Sequence, residues 1–132
     1  MLLVDGYVRT GSQGPWSTAR SSVDRRRITN WTAVRGWRLA RIFEDRAPGH
    51  RENPGPGLRD ALGRIESGES DGIVTTSLDQ IGDSLGEVLD ALERIQAAGG
   101  TFASVGDGID LSTAAGHLIL RVLVSVTGWW LP

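Results

Sequence analysis

Cysteine is absent from this 132-residue sequence, which removes disulfides, thiolate metal sites and cysteine nucleophiles together. Histidine is scarce: His50 and His117 lie too far apart to begin a zinc site. Lysine is also missing, so all 14 basic residues are arginines. No apolar run reaches the ~18 residues of a membrane span. The start, Met1-Leu2-Leu3-Val4-Asp5, has neither a basic leader nor a long apolar stretch, so the expectation is a cytoplasmic protein with no membrane partner. What is present is the composition of one folded domain over residues 1–132. With 39% hydrophobic and 23% charged residues, the chain can bury a core, but its length is short for two.

The formal net charge of −2 hides an asymmetry. Residues 1–64 hold 12 arginines against 6 acids, and residues 65–132 hold 2 arginines against 10 acids. A guanidinium grips phosphate oxygens in pairs, so the basic half suits a polyanion. An arginine-only lexicon also follows from base composition, and Arg25-Arg26-Arg27 also reads as a solvated helix face.

Periodicity gives alternating strands and helices. Residues 2–10 read as a buried first strand, followed by a loop at Gly11, Gly14 and Pro15. Val23, Ile28, Trp31 and Val34 predict a helix over 17–35, with Gly36 as its cap. Residues 37–43 alternate as a half-exposed second strand that Glu44 and Asp45 are expected to end. Prolines and glycines make 46–57 a loop, and Leu58, Ala61, Leu62 and Ile65 form a second helical stripe. A third strand is expected over 71–78. Ser84 and Glu87 then form a capping box ahead of Leu85, Val88, Leu89, Leu92 and Ile95, with Gly99-Gly100 ending that helix. Residues 101–105 are a short fourth strand. Leu118, Ile119, Val122, Leu123 and Val126 form the stripe of a last helix. Its face is broad for one small sheet, so a partner subunit is expected, although Val122 and Leu123 read as core. The order implies an α/β fold: a mainly parallel sheet with helices on both faces.

Ligands of such sheets sit beyond the carboxyl ends of the strands. Those ends carry 9–13, 46–57 and Asp79-Gln80. Arg9 beside a glycine-bearing loop is a candidate phosphate ligand, and equally a structural ion-pair partner.

The motifs at those ends are specific in combination. Tyr7-Val8-Arg9-Thr10-Gly11-Ser12 resembles the opening Y-V-R-V-S-S of the resolvase and invertase type of serine recombinase, and Ser77-Leu78-Asp79-Gln80-Ile81-Gly82-Asp83 resembles its S-L-D-R-L-G-R. Gly99-Gly100 through Ser104-Val105, followed by Asp107-Gly108-Ile109-Asp110-Leu111-Ser112-Thr113, is similar to G-G-x-x-x-x-S-V-x-D-G-I-D-x-S-T. The resemblance is to the N-terminal catalytic domain and covers nearly the whole chain, poorest at 46–57. It implies DNA strand cleavage and exchange through a phosphoserine intermediate, with no cofactor and no metal. A nucleophilic serine and several guanidiniums would stabilise the pentacoordinate transition state.

By that resemblance Arg9 and Asp79 are retained, but the nucleophile position is Gly11, and two arginine positions are Gln80 and Asp83. The loop serine falls at Pro48. The loop arginine falls at Gly55, with Arg51 near enough to stand in as a phosphate or DNA ligand. Ser12 is the remaining candidate nucleophile, one step from Gly11 and so directed to the other side of an extended chain. The family's A-E-x-E becomes Thr127-Gly128-Trp129-Trp130, and the helix extension and DNA-reading domain that normally follow are not in this sequence. The expectation is a catalytically inactive domain that binds DNA weakly and without sequence preference. It would pair with itself or with a related recombinase through the last helix. An active domain using Ser12, and a small-ligand module at the same strand ends, are the alternatives.

Overall fold

The computed structural model describes residues 1–10, 15–46 and 54–128, so Gly11, Ser12, Pro48, Arg51, Trp129 and Trp130 lie outside the described residues. Five strands, β1 (Leu3–Thr10), β2 (Arg38–Arg46), β3 (Gly72–Thr75), β4 (Thr101–Ser104) and β5 (Ile109–Asp110), form one sheet in the order β2-β1-β3-β4-β5. All neighbouring pairs are parallel except β4 and β5. Helices α1 (Pro15–Val34), α2 (Pro56–Glu66), α3 (Leu85–Ala97) and α4 (Ala114–Gly128) complete the domain. The expected α/β class and the helices on both faces are what the structure has.

Alternation along the strands divides the core in two. Val4, Val8, Val74 and Ala103 pack with Ile28 of α1, whereas Tyr7, Ile73 and Phe102 pack with Leu58, Ala61, Leu62 and Ile65 of α2 and Val88, Leu92 and Ile95 of α3. Because β2 and β3 flank β1 on opposite sides, the connections diverge at the carboxyl ends of β1 and β3, opening a crevice there.

Several expectations need correction. Val23 and Val34 do not face the core: they are exposed, and the inner side of α1 is Ser21, Asp24, Ile28 and Thr32, with Trp31 half-buried. Glu44 and Asp45 do not end β2. Glu44 accepts from Ser21 Oγ at 2.5 Å, and Asp45 accepts from Tyr7 Oη at 2.7 Å, so each acid has a partner that lets the strand continue. The third strand stops at Thr75, and Leu78–Gln80 form a 3-10 turn. At α3, Ser84 Oγ accepts from Glu87 N at 3.2 Å, but Glu87 Oε1 reaches back to Asp83 N at 2.8 Å, one residue beyond the usual box. Val122 is not core: it is 54% exposed on α4, beside Leu118 at 63%. No described helix is long and apolar enough to cross a membrane.

Candidate functional site

The crevice is built from Arg9 near the end of β1, Thr75 and Thr76 at the end of β3, the 3-10 turn, Asp83 before α3, and Asp24 of α1. The turn is held from below by the segment that follows β4. Asp107 accepts from Leu78 N at 2.8 Å and from Ser104 Oγ at 2.6 Å. The serine and aspartate of Ser104-Val105-Gly106-Asp107 therefore fix the backbone that presents Asp79 and Gln80. Asp110 works alike: its carboxylate accepts from Ser112 N at 2.9 Å, its carbonyl from Thr113 Oγ1 at 2.8 Å, and Thr113 caps the start of α4.

Gln80 is the centre of the site. Only 6% exposed, it lies across the strand ends with its amide fully engaged. Oε1 accepts from Arg9 N at 3.2 Å and lies 3.2 Å from Thr75 Oγ1, which also donates to the Tyr7 carbonyl at 2.9 Å. Nε2 donates to Thr76 Oγ1 at 2.7 Å and to Asp24 Oδ2 at 3.3 Å. A neutral side chain thus ties β1, β3 and α1 together where a cation is expected. Asp24, equally buried, keeps a carboxylate aimed at that position.

Arg9 is turned to Asp83, with Nη1 2.8 Å from Oδ1. This hydrogen bond is the main reason its guanidinium is held above the usual arginine range, against the opposing effect of burial. Arg9 is 22% exposed and Asp83 68%, so the cation meets an acid at the water boundary. Asp79 does not join them: it is exposed and paired with Ser77 Oγ within its own turn. Of the residues singled out from sequence, the structure brings together Arg9, Gln80 and Asp83 and leaves Asp79 aside.

Behind Arg9, Tyr7 donates to Asp45, and burial first, then this bond, pushes the phenol well above its ordinary value. Asp45 also accepts from Gly57 N at 2.7 Å and Leu58 N at 3.0 Å, capping α2 from the end of β2. A Cβ at Gly57 would stand 2.9 Å from Asp45 Oδ1 and 3.0 Å from the Glu44 carbonyl, so the Pro56-Gly57-Leu58 motif has a packing reason. Sequence reasoning missed Asp24, Asp45, Thr75 and Thr76. Asp24 did leave a signal, as the only acid within an arginine-rich helix.

Comparison with known proteins agrees with this architecture. The family described as Resolvase, N terminal domain matches residues 4–128. The DNA-invertase hin of Salmonella typhimurium is 32% identical over 118 residues, covering 89% of this chain and 55% of that protein. The serine recombinase gin of Escherichia phage Mu is 34% identical over 82 residues, covering 62% of this chain and 41% of that protein. The chain thus spans about half, or less, of the length of these relatives. Among solved structures, the N-terminal catalytic domain of TP901-1 integrase superposes with a TM-score of 0.75 at 20% identity, covering 95% of each chain. A resolvase family site-specific recombinase from Streptococcus pneumoniae does so at 0.67 and 17% identity, covering 95% of this chain and 89% of that one. With strand order, motif turns and family match in agreement, the chain belongs to the resolvase N-terminal domain family of serine recombinases.

Proposed function

We propose that this chain is a serine-recombinase catalytic domain, single over residues 1–132, whose strand-end site no longer carries out phosphoryl transfer. Its retained capacities are weak contact with DNA and association, with itself or with an intact relative. The observation that carries this reading is the Arg9–Asp83 pair at 2.8 Å beside a Gln80 amide that already has all its partners. Phosphoryl transfer in such a site depends on guanidiniums preorganised around developing negative charge. Here the first guanidinium is neutralised within the chain, the second is a neutral amide, and the third is a carboxylate that repels the substrate. Losing one preorganised donor costs about 100-fold or more in rate, so two replaced arginines imply about 10⁴-fold or more before the missing serine at Gly11 is counted.

The exposed apolar row Leu118, Ile119 and Val122 supports association through α4, because a monomer gains nothing by leaving it wet. A nicked suicide duplex, in which the released strand diffuses away, tests the catalytic half of the reading. No protein–DNA covalent link is expected from the wild-type chain at high concentration. A phosphoserine link mapped to Ser12 would overturn it in favour of an active domain. Gly11→Ser, Gln80→Arg and Asp83→Arg together are expected to give a detectable link.

A further inference from the structure

Some arginines of this chain are paired and others, including Arg38, Arg41 and Arg121, are exposed without an ion pair among the described residues. Arg9, Arg25, Arg35, Arg64 and Arg94 each sit against a carboxylate. Arg20, Arg26 and Arg27 on α1, and Arg46 at the end of β2, are exposed and have no ion-pair partner among the described residues. Within α1 the only acid is Asp24, which is buried and occupied by Gln80. The outward side of α1 is therefore a run of positive charge with no ion-pair partner among the described residues. Arg20 and Arg27, seven residues apart, lie within about 20° of each other around the helix and about 10 Å apart along it. Glu44 bonds Ser21, which lies about 100° around α1 from Arg20, so Arg46, two residues along β2 from Glu44, borders the other flank of the helix.

We infer that this side of α1 is a track for the phosphate backbone of duplex DNA, distinct from the strand-end site but continuous with its lip. Continuity comes from Arg27, whose Nη2 lies 3.5 Å from the position a Cβ would take on Gly106, the residue packed on the Thr76 carbonyl. Beyond Gly106 the exposed Asp79 and Asp107 repel phosphate and bound the track. A separation of about 10 Å spans about three nucleotides of one strand, so Arg20 and Arg27 reach separate phosphates. In a second copy of the chain Glu66, Glu69 and Glu87 are already engaged, but Asp60, Asp90 and Glu93 are exposed, so self-association is the competing outcome that the test separates. The chain's net negative charge makes this contact local and strongly dependent on salt.

The inference rests on the reading that this domain meets DNA, and the test separates the two. Binding of the full chain to a fluorescent duplex of arbitrary sequence is followed by anisotropy while salt is raised from about 50 mM. Arg20→Gln/Arg26→Gln/Arg27→Gln is expected to weaken binding at least about tenfold and to flatten the log–log salt slope by about 0.9 per lost phosphate contact, or about 2.7 in all. Arg38→Gln/Arg41→Gln/Arg121→Gln removes the same charge from exposed residues elsewhere, and is expected to change affinity by less than about threefold. Equal losses in the two variants would overturn the track and leave DNA contact standing. No binding by the wild-type chain would overturn both. Salt-sensitive self-association that the α1 variant abolishes, with no DNA bound, would assign the surface to protein instead. Unchanged circular-dichroism melts verify that each variant folds.

Discussion

Replacing Gln80 by leucine removes the amide from the crevice while nearly keeping its volume, so the effect reads the hydrogen-bond network with little contribution from packing. Three groups lose their partner: Arg9 N, Thr76 Oγ1 and the carboxylate of Asp24, while Thr75 Oγ1 keeps the Tyr7 carbonyl. A hydrogen bond to a charged group contributes ~1.5–3 kcal/mol and a neutral one ~0.5–1.5, and since two of these bonds exceed 3 Å the lower parts of those ranges apply, giving a loss of ~3 kcal/mol. For a domain of this size that is a fall in Tm of about 12 °C, and a large share of a total stability of ~5–15 kcal/mol. Urea and thermal unfolding at neutral pH measure it. Asp24→Leu in the same background removes the buried carboxylate that had lost its donor, and recovers part of the loss through a coupling of ~1 kcal/mol or more. A single-variant loss under ~1 kcal/mol, or a double variant that costs the full sum, would refute the account of Gln80 as the network's centre.

Tyr7 is the single tyrosine, so phenolate absorbance reports it alone, though five tryptophans share the band below it. Its raised ionisation means the folded state holds the phenol proton more tightly than the unfolded chain, so this contribution is complete below the ordinary tyrosine pKa of about 10 and is lost as pH rises above it. Ionisation is expected to coincide with alkaline unfolding, and Asp45→Asn to move both to lower pH; a phenolate signal in a still-folded wild-type chain at pH 10 would contradict this. On α4, Val122→Glu is expected to shift sedimentation toward monomer with little change in melting, since the side chain is already half in water. A large drop in Tm with no change in association would place Val122 in the core after all.

How much of this was legible in the sequence depended on what carried the signal. α2 and α3 were legible because Leu58, Leu62, Val88, Leu92 and Ile95 are apolar on the side they bury, and a serine opens α3. α1 hid its register: its inner face is largely polar, and Asp24 and Thr32 took the inward positions that Val23 and Val34 seemed to claim. The full length of β2 depended on partners for Glu44 and Asp45 that lie 23 and 38 residues away. The two residues of β5 are too few for periodicity to register. At the site, Gly11, Gln80 and Asp83 were singled out by the motif resemblance alone. That the amide of Gln80 would meet Asp24, 56 residues distant, and that Asp83 would turn onto Arg9, required the fold.

On the proposed reading, Asp83 occupies the Arg9 guanidinium that a phosphodiester would need. Arginine side-chain NMR of Arg9, titrated with dimethyl phosphate, tests it at the atoms concerned. In the wild-type chain the Arg9 resonances are expected to stay in place while Asp83 holds them, and in Asp83→Asn they are expected to move saturably with added phosphodiester. Saturable binding at Arg9 in the wild-type chain, equal to that in Asp83→Asn, would contradict the account.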